Sequence, residues 1–147
     1  MPFRCWEIVG TGAILALARF SEAFLLLRAQ NLGLKIEFAP LVLVNIIYAG
    51  AAYPAGRWSD RIASPLLLAF GFLVLIASNL ALATASNLIL AAVGVAHWGL
   101  HMAITQGLFV TLVAAAAPAE LRGTAFGMFN LVAGVAVLGA SILAGAL

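Results

Sequence analysis

The sequence predicts an all-α, polytopic membrane helix bundle of about five transmembrane helices. Three observations carry that expectation. The chain of 147 residues is 65% hydrophobic and 8% charged, with a mean hydropathy of +1.17, whereas soluble domains carry roughly a quarter charged residues. Its charges sit in clusters, and no Asp, Glu, Lys or Arg occurs from Ile62 to Ala119. No segment alternates apolar and polar residues with period two, as a membrane barrel strand must. In lipid the backbone has to satisfy its own hydrogen bonds, which leaves helices.

The expected spans follow in order, as one membrane domain over 1–147. The first covers 8–27 and carries Arg19 and Glu22 inside it; a polar connection with the turn residues Asn31-Leu32-Gly33 follows. The second, 40–56, opens on Pro40, a residue suited to a helix's first turn. The third runs over 65–84, and Ser86 or Asn87 in the next turn can cap the fourth. That fourth span, 88–116, is long for one crossing, so tilt or protrusion from the bilayer is expected. After Pro118-Ala119-Glu120-Leu121-Arg122-Gly123 the fifth fills 124–147. The first apolar run follows Glu7 and is interrupted by Arg19 and Glu22, unlike the short uniform core of a signal peptide.

Loop charge sets the expected orientation. Arg4, Arg57, Arg61 and Arg122 fall on one side, Arg28 and Lys35 on the other. The positive-inside rule then places the N-terminus in the cytoplasm. A net charge of +2 is too small to argue for nucleic acid. The lone Cys5 cannot form an internal disulfide. The lipid bilayer is the expected partner, and no cofactor is expected.

Candidate site residues are the polar groups at bilayer depth. A charge there costs at least ~2.5–3.5 kcal/mol, so such groups face a bundle interior or wet cavity. Arg19 and Glu22 share a helix face through their spacing of three. They read either as a structural ion pair or as a substrate contact with Glu22 as a proton-coupling carboxylate. His97, His101 and Thr105 recur every four residues and form one stripe with Gly94. They read as cavity lining or as satisfied interhelical hydrogen bonds. A metal pair is the weaker alternative, since no third ligand lies near in sequence, and no metal is expected. Gln106 lies on another face with Gly99 and Ala103, suited to close helix contact, and Asn45 could face a cavity. Gly123 and Gly127, then Gly134 and Ser141, read as a packing stripe. Trp6, Phe38 and Trp58 near span ends fit an interfacial belt.

The most informative segment is Gly56-Arg57-Trp58-Ser59-Asp60-Arg61-Ile62-Ala63-Ser64, a charged knot between two apolar stretches. Its Gly56-x-x-x-Asp60-Arg61 resembles the loop signature of the major facilitator superfamily, although Ala63 and Ser64 stand where that pattern has a glycine and a basic residue. Pro118-Ala-Glu-Leu-Arg122-Gly123-Thr-Ala-Phe-Gly127 looks like the family's loop between helices ten and eleven. Arg19-Phe20-Ser21-Glu22-Ala23-Phe24 looks like its helix seven. The resemblance implies five helices, seven to eleven, of a twelve-helix permease, and so an incomplete transporter half. It implies transport of a small solute by alternating access, with Gly56, Asp60, Arg61 and Arg122 in the gating loops and Arg19, Glu22, Asn45, His97, His101 and Gln106 as substrate or proton-coupling candidates. The solute class stays open. A partner half or a homo-oligomer would be needed to complete a pathway. The alternative is a non-transporting structural membrane protein or truncated gene product. A metal-dependent membrane enzyme is the weakest reading, because no nucleophile motif, phosphate-binding loop or zinc-protease pattern occurs; the chain is not expected to be an enzyme.

Overall fold

The structure, a computed structural model, describes residues 6, 7, 9–12, 31, 32 and 39–146, with side chains as far as residue 143. Four long helices occupy most of this: α1 (Ala39–Ser59), α2 (Ser64–Thr84), α3 (Leu88–Ala116) and α4 (Arg122–Ala146), the last preceded by a 3-10 turn at Ala119–Leu121. Among the described residues there is no strand. Each long helix is of a length and composition able to cross a membrane. The expected first span, with Arg19 and Glu22, lies outside the described residues except for 9–12, which are helical.

Two compact units divide the chain, Glu22–Leu108 and Met1–Ser21 with Phe109–Leu147. In the first, α1 begins at Ala39 with Pro40 in its opening turn and carries Pro54 near its end. Proline has no N–H, so one helical hydrogen bond is missing there. The helix nevertheless continues a turn beyond Gly56, where the sequence reading ends it. The Asp60 N–H reaches the Gly56 carbonyl at 3.3 Å, the Ile62 N–H reaches Trp58 at 2.8 Å, and the Ser59 hydroxyl donates to Gly56 at 2.7 Å. Arg57 in this last turn complements the negative end of the helix dipole. The charged knot is therefore half helix, and only Asp60–Ala63 is turn.

Helix α2 starts with Pro65 in its first turn, and the Leu66 and Leu67 N–H groups bond Ala63 at 2.9 and 3.1 Å. Leu67, Gly71, Val74, Leu75 and Ser78 are buried along one face. The opposite face exposes Leu66, Phe70, Leu73, Ile76 and Leu80. A helix apolar all round is a membrane solvent pattern, because lipid takes the outer face as readily as the core takes the inner one. At the next turn the Asn87 carboxamide oxygen accepts the Leu90 N–H at 2.9 Å and caps α3.

In the other unit, Val113, Ala117 and Ala125 form a small core against Ala116, Phe126 and Phe129. The Phe109 and Phe129 rings lie 5.3 Å apart at 35°. A Cβ on Gly12 would run into the Phe129 ring. Beyond this cluster α4 is open: Leu131, Val135, Leu138, Ile142 and Leu143 are exposed.

Candidate functional site

The polar groups at mid-span are brought together along the seam between α2 and α3. His101 is fully buried, and its Nδ1 lies 2.8 Å from the Gly71 carbonyl oxygen on α2. A carbonyl can only accept, so Nδ1 carries the proton. Two turns along, the bond runs the other way: the Ser78 hydroxyl of α2 donates at 2.8 Å to the Gly94 carbonyl of α3. Thr105, also buried, donates to the His101 carbonyl at 2.8 Å. Glycine is needed at both acceptor positions for a packing reason. A Cβ on Gly71 would lie 2.7 Å from Thr105 Cγ2, and one on Gly94 2.7 Å from Leu82 Cγ and 3.2 Å from the Leu82 backbone nitrogen. On another face of α3, a Cβ on Gly99 would meet the Val44 carbonyl oxygen at 2.7 Å and Ile47 at 3.1 Å. Helix α3 is thus held closely to both α1 and α2.

The second element of the site is the α1–α2 turn. Arg57, Asp60 and Arg61 are exposed there, and none of them forms an ion pair among the described residues. Tyr53, Pro54, Arg57, Trp58 and Arg61, all exposed, line an open recess of about 300 Å³. Gly56 is open, since a Cβ there would meet nothing within 4 Å. Arg122 opens α4, with Glu120 in the turn before it; both are exposed.

The family model described as Major Facilitator Superfamily matches residues 2–141, nearly the whole chain. The chain belongs to the major facilitator superfamily. It is 33% identical over 144 residues to an uncharacterized transporter of the major-facilitator type from Methanocaldococcus jannaschii. That similarity covers 90% of this chain and 35% of the relative, so the chain spans about a third of the length of the curated relative it matches. No solved structure matches. Family and apolar helices together make this major facilitator chain an integral membrane protein.

The structure places the sequence candidates of this superfamily member differently from one another. His97 is half-buried and its Nδ1 donates to Val93 of its own helix at 2.8 Å, whereas His101 bonds across to α2. Asn45 is exposed and its amide donates to Leu41 of its own helix at 2.8 Å. Gln106 is half-buried. Arg19 and Glu22 lie outside the described residues. Among the described residues no group of three His, Cys, Asp or Glu side chains could hold a metal ion. An apolar recess of about 220 Å³ between Pro40 and Leu43 of α1 and Leu88, Ala91 and Val95 of α3 includes none of the candidates. Two residues escaped the sequence reading. Ser78 is one of six serines and has no pattern around it to mark it. Trp98 is 1% exposed, and its indole N–H is buried without a hydrogen-bond partner among the described residues. A tryptophan in mid-span, away from the interfacial belt, is the signal that could have found it.

Proposed function

We propose that this chain is part of a secondary transporter, corresponding to helices seven to eleven of its second half, which moves a small solute by alternating access. The reading rests on membership of the major facilitator superfamily across residues 2–141. The relative's name as a transporter supports it. Transport would belong to this chain together with the rest of the pathway, supplied by a partner half, by further copies or by adjoining sequence. Arg19, Glu22, Asn45, His97, His101 and Gln106 are the proposed polar lining, with Glu22 as the proton-coupling carboxylate. The proposed setting is a bacterial inner membrane with the N-terminus in the cytoplasm, and no enzymatic step is assigned.

In this reading Gly56, Asp60, Arg61 and Arg122 form the gating loops. Asp60 is exposed at the end of α1, where a carboxylate can accept from the N-terminal amides of a neighbouring helix and favour one side of a rocking equilibrium. Asp60→Asn removes that charge. Single cysteines at Leu43 and Ala55, toward opposite ends of α1, report the balance after Cys5→Ser, in membranes that hold the complete transporter. Ala55 is buried, so labelling of Ala55→Cys is expected to rise in the Asp60→Asn background while labelling of Leu43→Cys falls. Identical labelling in both backgrounds would sink the gating role.

A further inference from the structure

A second recess adjoins the arginine recess. Trp58, Ile62, Leu66, Leu67 and Phe70 line an apolar groove of about 320 Å³ that runs from the α1–α2 turn along the first turns of α2. Trp58 belongs to both recesses. The first is lined by two arginines and a tyrosine beside Pro54 and Trp58; the second, apart from Trp58, is lined only by aliphatic and phenyl side chains. We infer that the two together form a binding site for a phospholipid with a net negative headgroup, its phosphate between Arg57 and Arg61 and an acyl chain along Trp58, Ile62, Leu66 and Phe70.

Helix and turn build such a site together. Tyr53 with Arg57, and Pro54 with Trp58, are four apart on α1 and lie on neighbouring faces at its end. Arg61 and Ile62 follow in the turn, where the Ile62 N–H still bonds the Trp58 carbonyl at 2.8 Å and Arg61 lines the same recess as Arg57. Arg57 and Arg61 are exposed and form no ion pair among the described residues. Asp60 is not part of the recess lining, so the recess itself carries two positive charges against none negative. Arginine binds phosphate oxygens through paired N–H donors. Tyr53 and Trp58 are the amphipathic rings that settle at headgroup depth with their polar edges toward water. The turn lies where α1 and α2 leave the apolar region, and α2 runs from it back into that region, so a chain lying along Leu66 and Phe70 enters the bilayer from a headgroup held at its surface. Free phosphate would use only the first recess. An amphiphile uses both, and the shared Trp58 ties them together.

Tryptophan quenching reads both halves at once. The purified full chain in neutral detergent micelles is titrated with phosphatidylglycerol brominated on its acyl chain, with brominated phosphatidylcholine, and with excess inorganic phosphate as competitor. The expected result is quenching by the glycerol lipid at lower concentration than by the choline lipid, a component absent in Trp58→Phe, and no displacement by inorganic phosphate. Each arginine near an anionic lipid is worth about fivefold in affinity, so Arg57→Gln with Arg61→Gln should weaken phosphatidylglycerol on the order of thirtyfold and erase its advantage. Arg57→Lys with Arg61→Lys keeps charge but loses the paired donors, and should fall between. Equal quenching by the two lipids, an unchanged preference in the glutamine variant, or full displacement by inorganic phosphate would each overturn the assignment. The readout is binding, so it stands apart from whether the chain transports.

Discussion

Helices α3 and α4 have nearly the same composition and very different surroundings. Half of the apolar window of α3 is buried, against 6% for the stretch that includes α4. Both are rich in glycine. On α3, Gly94 and Gly99 are pressed against neighbouring helices, whereas Gly107 on α3 and Gly123, Gly127, Gly134 and Gly139 on α4 would admit a Cβ with nothing within 4 Å. Small residues at helical spacing therefore permit close approach without producing it. At the α2–α3 seam the close approach coincides with donor side chains, Ser78 reaching the Gly94 carbonyl and His101 the Gly71 carbonyl, whereas at Gly99 it rests on packing against α1. The comparison predicts a graded response to adding one methyl group.

The largest effect is expected at Gly99→Ala, where the new Cβ would meet the Val44 carbonyl oxygen at 2.7 Å. Backbone cannot rotate away, so overpacking should cost about 1–3 kcal/mol even after the better helix propensity of alanine. Unfolding in mixed micelles measures it; an unchanged midpoint would mean that α1 and α3 are not in contact. Next comes Ser78→Ala, which removes one buried hydrogen bond between helices. Such bonds in membrane proteins average about 0.6 kcal/mol and reach about 1.7. An unchanged unfolding midpoint in Ser78→Ala would contradict the bond. The smallest effect belongs to Gly134→Ala, expected to be neutral or to stabilise by up to about 1 kcal/mol through helix propensity alone. A loss as large as that at Gly99 would show that this face of α4 is packed in the membrane, and the contrast between the helices would collapse.

The ends of the elements were legible because they are written in local chemistry. Pro65 opens α2 and Asn87 caps α3, each through a bond or a missing N–H that its own residue type dictates. Membrane character and family were legible from composition and from the Asp60-Arg61 loop. The sequence reading ends the second span near Gly56; the helix runs on to Ser59, where the Ser59 hydroxyl and the Asp60 amide both return to the Gly56 carbonyl. Helix faces were not legible. A helix apolar on every side has no sequence signal for which side meets protein and which meets lipid. His97 and His101 share a spacing and a chemistry, yet one bonds its own turn and the other bonds α2. Only the neighbouring helix decides between them, and nothing in residues 97–101 describes that neighbour. The recess at Arg57 and Arg61 was half visible: the arginines read as orientation markers, while their grouping with Tyr53 and Trp58 depends on how the turn folds back after α1.

The two bonds of the α2–α3 seam join Gly71 with His101 and Ser78 with Gly94. In antiparallel helices these pairs share a single register, since each step forward on one helix is matched by a step back on the other. Sliding either helix by one turn, about 5.4 Å, would break both bonds together and drive a side chain into the seat of a glycine. The hairpin has one vertical setting. Its Ser78 and Thr105 hydroxyls and the His101 Nδ1 proton all find acceptors inside the pair. Ser86 and Asn87, in the short turn between the helices, are then the fold line of a hairpin held in register from within.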